Sequence, residues 1–207
     1  MGGFPSFCGV VSNAGKATFK GFEFETNARL GRDMMAAGDR LNLAGSLGYI
    51  DAQYDEYITN IANVPTDVAD YRYVQNTPEW TASGTLSYST PVGDGDLYFG
   101  TTASYRSKTY QFEIANPYLD QDGYTLIDAS VVYTAPGGNW TLGVYGKNLT
   151  DKQYKTSGYV YVAADPVTGA VIPGANGRPT PTLGREGVLE AFYGNPRQVF
   201  VTATVKF

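Results

Sequence analysis

The chain is 207 residues long, has a net charge of −5, one cysteine and no histidine, and only 17% of its residues are charged. This composition excludes an internal disulfide, a zinc cluster and any histidine-based catalytic pair, and the lack of a basic patch excludes a nucleic-acid binder. Mean hydropathy is −0.25, and no run approaches the ~18 apolar residues of a transmembrane helix.

Residues 1–17 read as a loop, punctuated by Gly2, Gly3, Pro5, Gly9 and Gly15, with a weak half-strand at Phe7–Ser12. A first strand is expected over Thr18–Leu30. Phe22, Phe24, Thr26, Ala28 and Leu30 share one face, and Glu23, Glu25, Asn27 and Arg29 share the other. A second strand spans Leu41–Tyr57, with Leu41, Leu43, Leu47 and Tyr49 on one face, and a polar link follows over 58–76. The third, Thr77–Thr90, sets Trp80, Ala82, Leu86 and Tyr88 against Thr81, Ser83, Thr85, Ser87 and Ser89. After the short turn PVGDGD comes a fourth strand, Leu97–Tyr110, with Arg106 on its polar face. A fifth, Gly123–Thr134, opposes Ile127, Ala129, Val131 and Tyr133 to Asp128 and Ser130. The sixth, Trp140–Tyr154, is followed by the longest link, about 155–192, rich in Pro and Gly. The last stretch, Tyr193–Phe207, places Val199, Val201, Ala203, Val205 and Phe207 on one face, and Gln198, Phe200, Thr202, Thr204 and Lys206 on the other.

Two regularities tie these elements together. Connections are short after the first, third and fifth strands and long after the second, fourth and sixth, so all short turns lie at one end. That is the asymmetry of outer-membrane barrels, with short periplasmic turns and long external loops. Aromatic residues also mark the strand ends. Trp80 and Tyr88 share a face eight residues apart, or roughly 20 Å along the membrane normal for a tilted strand, close to the ~25 Å apolar band. A membrane strand escapes hydropathy averaging because every second residue is polar. The polar face, with Glu23, Glu25, Asn27, Arg29, Arg106, Asp128 and Lys147, then points into a wide, wet or protein-filled lumen.

The expected fold is therefore all-β, an antiparallel up-and-down transmembrane β-barrel segment of about seven strands. Seven antiparallel strands do not close with every neighbour antiparallel, and an open edge in lipid leaves backbone groups unsatisfied. The economical reading is the C-terminal portion of a larger barrel. The residues alone leave two alternatives open: a small self-contained outer-membrane barrel displaying its loops, and a soluble lipocalin-like binding protein. With no nucleophile–base pair, an enzyme is not expected.

Several segments resemble the TonB-dependent receptors of the Gram-negative outer membrane: NAGKATFKGFEFE at 13–25, LNLAGSLGYIDAQYDEY at 41–57, NTPEWTASGTLSYS at 76–89, YTLIDASVVY at 124–133, GKNLTDKQY at 146–154, and the YGNPRQVFVTATVKF terminus. The resemblance implies a 22-strand barrel plugged by an N-terminal domain. It also implies import of a scarce nutrient such as a ferric siderophore, cobalamin or a carbohydrate, with energy transmitted by TonB through the plug. The whole of 1–207 then corresponds to the barrel's C-terminal portion, with neither plug nor signal peptide in the chain. The implied partners are outer-membrane lipid, a small-molecule ligand, TonB only through the missing plug, and the barrel-assembly machinery, whose signal Val199, Val201, Val205 and Phe207 resemble.

The remaining motifs read blandly. Asp120-Gln121-Asp122-Gly123 resembles the start of a calcium loop but lacks further ligands, so a turn is expected. Asp51, Asp55 and Glu56 form a solvated acidic cluster. Asn148-Leu149-Thr150 fits a glycosylation sequon by chance. Cys8 is either a free thiol or paired with a cysteine elsewhere. Tyr57, Tyr71, Tyr73, Tyr110, Phe112, Tyr118, Tyr159 and Tyr161 are rim or loop aromatics, suited either to holding a ligand or to packing the loops. No cofactor or metal is expected.

Overall fold

The computed structural model describes residues 15–182 and 188–206. Its strands are β1 (Gly15–Arg32), β2 (Arg40–Ile61), β3 (Val64–Asp67), β4 (Trp80–Val92), β5 (Gly95–Arg106), β6 (Tyr124–Thr134), β7 (Trp140–Lys147), β8 (Lys155–Tyr161), β9 (Val188–Tyr193) and β10 (Gln198–Val205). One antiparallel sheet runs in the order β1-β2-β4-β5-β6-β7-β10, with β3 attached to β2, and β8 and β9 form a separate hairpin. The sheet is a meander that does not close, with β1 and β10 as its two edges among the described residues.

The expected alternation of connections is present. Segments 33–39, 93–94 and 135–139 are the short turns, and 62–79, 107–123 and 148–197 are the long links. Each short turn has its own chemistry. In the first, the Asp39 carboxylate accepts from the backbone N–H of Met34 (2.8 Å), Met35 (2.7 Å) and Ala36 (3.0 Å), and from the Tyr88 hydroxyl (2.9 Å). Those bonds, the Met34 amide foremost, hold the Asp39 carboxyl down to about 2. In the third, Gly137 and Gly138 both take positive φ, which glycine adopts without steric cost.

Several boundaries move. β2 continues past Tyr57 to Ile61 and turns back on itself as β3. The turn residues Ala62 and Asn63 have φ of 50° and 67°, the left-handed pair that matches the twist of a two-residue hairpin. The third expected strand starts at Trp80 rather than Thr77, after Asn76 with φ of 51° and Pro78. The fourth ends at Arg106 rather than Tyr110, and the sixth at Lys147 rather than Tyr154, where Asn148 and Asp151 take φ of 48° and 52°. The longest link contains the β8–β9 hairpin. Tyr193 closes β9, and the terminal strand begins only at Gln198, after Gly194 and Pro196 interrupt the ladder. Cys8, the half-strand at 7–12 and Phe207 lie outside the described residues.

Among the described residues the sheet has no hydrophobic core on either face. Among the described residues the buried apolar side chains are Val68, Leu119 and Ala135, all in connections. Phe22 is 51% exposed and Val201 64%, with Leu86 and Val131 also exposed. A soluble barrel or sandwich would enclose one of its faces.

Candidate functional site

The antiparallel register decides which side chains share a face. Phe22 pairs with Tyr49, and Tyr49 with Trp80. Their ring centroids lie 5.7 Å (Phe22–Tyr49) and 4.6 Å (Tyr49–Trp80) apart, so three adjacent strands present one continuous aromatic cluster. At the short-turn end of the same face, Tyr88 lies 6.5 Å from Phe99, and Tyr133 lies 5.4 Å from Trp140. Between these two aromatic belts the register places Leu43, Leu86, Val131, Val144 and Val201. Val199 and Val205 share that face with them.

The opposite face carries the polar set. Register rows run Glu23–Gly48–Thr81–Arg106, and Asn27–Ala44–Thr85–Thr102–Asp128, with Glu25 and Arg29 on either side of Asn27 along β1. These residues share the face that the alternation assigned to them. Hydroxyls bridge strands here: Ser46 to Ser83 at 2.9 Å and Thr85 to Thr102 at 2.8 Å. Asp128 is the best-anchored charge, accepting from Lys147 Nζ at 2.7 Å and from the Asn148 N–H at 2.9 Å. This face is not purely polar. Tyr145 and Phe200 stack at 5.2 Å, and Tyr98 and Tyr145 fold over Gly100 and Gly143, where a Cβ would collide with the rings. The Gly-x-aromatic spacing along β7 and the reversed spacing along β5 were the sequence signals for this patch.

Above the long-loop ends of the strands, the connections form a cap joined by bonds that cross between loops. Arg72 is buried and donates Nη1 to the Val167 carbonyl (2.8 Å) and Nη2 to the Pro166 carbonyl (3.1 Å). It also lies over the Tyr57 ring at 5.6 Å. Those carbonyls are presented by a turn that Asp165 organises, accepting from Thr168 N–H (2.7 Å) and Val167 N–H (3.0 Å). These bonds, that from Thr168 first, hold the Asp165 carboxyl below its usual range. On the other side of the cap, Lys155 donates Nζ to the carbonyls of Tyr118 (2.9 Å) and Asp120 (2.8 Å), and its N–H to Gln121 Oε1 (2.7 Å).

The short motifs resolve in this cap. The calcium-like Asp120-Gln121-Asp122-Gly123 is a turn, and an ammonium group already occupies the carbonyls of Tyr118 and Asp120. The Asp120 side chain is nearly buried and desolvation pushes its carboxyl up, with Lys108 Nζ at 4.0 Å from Oδ2. Among the described residues no three His, Cys, Asp or Glu groups converge as a metal site. The sequon residue Asn148 is buried. Its amide donates to the carbonyls of Lys152 (2.9 Å) and Asn195 (3.1 Å) while its oxygen accepts from the Lys152 N–H (2.8 Å). It is a structural clasp between the end of β7 and the start of β10, not a glycan acceptor.

Of the rim aromatics, the structure pairs Tyr73 with Tyr110, stacked at 3.8 Å, and Tyr159 with Phe192 at 6.0 Å. Tyr71 and Tyr118 are exposed singly. No single focus gathers all eight.

Comparison with solved structures gives the same fold. The ferric yersiniabactin uptake receptor FyuA from Yersinia pestis is similar over 94% of this chain and 24% of its own, at 20% identity and a TM-score of 0.61. The siderophore receptor PiuA from Acinetobacter baumannii is similar over 90% of this chain and 25% of its own, at 18% identity and a TM-score of 0.50. The chain thus spans about a quarter of the length of each. The family described as TonB dependent receptor-like, beta-barrel matches residues 2–149. An apolar face with two aromatic belts, an opposite polar face, loops sorted by length and this match lead to one conclusion: the chain belongs to the TonB-dependent receptor β-barrel family.

Proposed function

We propose that the chain forms part of the wall and external cap of an outer-membrane receptor that binds and imports a siderophore-class small molecule, with energy supplied by TonB through a plug domain. The observation that carries this reading is the uncovered sheet. One face is apolar between two aromatic belts and asks for lipid; the other is polar and asks for a filled, hydrated lumen. In this reading Glu23, Glu25, Asn27, Arg29, Arg106 and Asp128 face the lumen and its plug. Val199, Val201, Val205 and Phe207 present the terminal strand to the barrel-assembly machinery. Siderophore-class cargo is favoured because the similar structures are a ferric yersiniabactin uptake receptor, FyuA, and a siderophore receptor, PiuA.

The two edges left unpaired among the described residues weigh against a self-contained barrel, and the exposed apolar face weighs against a lipocalin-like protein. The test is uptake of radiolabelled iron, presented as a panel of ferric siderophores, by iron-starved cells with and without the gene. Uptake that depends on both the gene and TonB supports the proposal. Equal uptake in the deletion strain across the panel overturns the siderophore assignment.

A further inference from the structure

Just outside the aromatic cluster of Phe22, Tyr49 and Trp80 the wall opens. β2 runs on beyond Tyr49 while β4 begins only at Trp80; one further bond, from the Ile50 N–H to the Glu79 carbonyl (2.9 Å), still joins the two, and before it the approaching segment 73–78 pairs instead with 107–113 through the bonds Asn76 N–H to the Tyr110 carbonyl (2.9 Å) and Tyr73 N–H to the Glu113 carbonyl (2.8 Å). The gap between them is a cleft of about 430 Å³. That volume is in the usual range for a small-ligand site, roughly 300–1,000 Å³.

We propose that this lateral cleft is a saccharide-binding site, separate from the lumen. A sugar ring has an apolar C–H face and a rim of hydroxyls that both donate and accept, so its site needs a flat aromatic platform with carboxylate and amide groups around it. Tyr73 is the platform. The residue is 37% exposed, and its ring is backed at 3.8 Å by Tyr110, over which Lys108 Nζ sits at 4.6 Å. A backed ring is held in place before the ligand arrives, which lowers the entropy lost on binding. Around it stand Asp51 and Gln53, joined by a 2.7 Å bond from Gln53 Nε2 to Asp51 Oδ1, and Glu79 at the inner rim. Together they offer both donors and acceptors.

The charge balance selects among ligand classes. Among the lining groups Asp51 and Glu79 stand against Lys108, and Lys20 pairs with Asp51 in register, so the cleft offers no net positive charge to a phosphate or carboxylate ligand. The carboxylates are too few for a divalent cation, in keeping with the absence of any three-group cluster among the described residues. A hydrocarbon chain would strand these polar groups. A neutral polyol uses all of them. Its source is a soluble saccharide: the membrane-proximal sugars of lipopolysaccharide carry phosphates and carboxylates, the ligand class that Asp51 and Glu79 disfavour.

The test is saturation-transfer NMR on the complete detergent-solubilised receptor with methyl glucoside, N-acetylglucosamine and maltose. Transfer to at least one sugar is expected. It should weaken about tenfold in Tyr73→Ala, as expected for loss of a stacking platform, persist in Tyr73→Phe, and fall in Asp51→Ala. No transfer to any sugar, or transfer unchanged in both Tyr73→Ala and Asp51→Ala, overturns the proposal. Ferric-siderophore uptake is read independently, so failure of this site leaves the import reading standing, and the reverse.

Discussion

The wall and the cap of this chain are stabilised in opposite ways. Among the described residues the wall has long, regular ladders and no buried side-chain core, and both of its faces are uncovered. The cap has little regular structure, yet it contains the buried apolar residues Val68 and Leu119 and the buried polar residues Arg72, Thr109, Gln111, Asn116, Gln121 and Asn148. The difference teaches where each draws its order. In the proposed reading the wall depends on solvent of two kinds, lipid on one side and a wet interior on the other. The cap depends on specific bonds between loops that are distant in sequence, such as Arg72 to Val167 and Lys155 to Tyr118.

Substitutions separate the two regions, and the largest effect belongs to the wall. Ala103 lies on the apolar face, in the middle row with Gly84 and Ile127, and Thr102 lies on the polar face beside Thr85. Ala103→Arg is expected to destabilise the folded receptor by about 2–4 kcal/mol, and Thr102→Arg by much less. Urea unfolding in lipid vesicles measures both, and equal costs would mean that the two faces meet the same surroundings. Next comes the clasp between wall and cap. Asn148→Ala removes three hydrogen bonds and puts a Cβ residue without Asn's tolerance at φ of 48°. It is expected to cost about 1–3 kcal/mol, read by the same unfolding assay.

A smaller, local effect is expected from Arg72→Lys, which keeps the charge but loses the two-carbonyl fork. Hydrogen exchange should quicken across 162–182 while β4, β5 and β6 stay protected. Uniform quickening would show that cap and wall unfold as one unit. The smallest effect concerns the first short turn. Asp39 titrates at about 2 in the folded chain against an ordinary 3.8. Its contribution is therefore fully present above pH ~3.8 and lost as the pH falls toward ~2. Asp39→Asn should flatten that part of the stability profile, measured by unfolding at stepped acid pH.

The wall was largely legible from the sequence because its information is local. A period of two along β1, β4 and β6 states which side chains share a face, and the spacing of Gly, Pro and Asp states where the chain turns. Trp80 and Tyr88 marked the two belts without any knowledge of pairing. The cap was not legible, for the same reason inverted. The Ala62-Asn63 turn lacks the glycine that usually signals a tight hairpin, so in the sequence β3 is indistinguishable from a polar link. The Pro- and Gly-rich composition of 155–192 masked the short β8–β9 pairing. No pattern near Arg72 announces that its partners lie at Pro166 and Val167. Asn148 carried a misleading local motif, and only its three-dimensional neighbours show it to be a clasp.

The central claim is that the apolar face meets hydrocarbon, and the chain's two tryptophans report on it directly. Trp80 and Trp140 lie on that face toward opposite ends of the sheet. Each is to be measured alone, with the other replaced by Phe and no tryptophan elsewhere in the receptor, in vesicles whose acyl chains carry bromine at different depths. The account predicts strong quenching of both by bromines near the headgroups, weaker quenching by deep bromines, and little quenching by aqueous acrylamide. Ready quenching by acrylamide with none by any brominated lipid would contradict it.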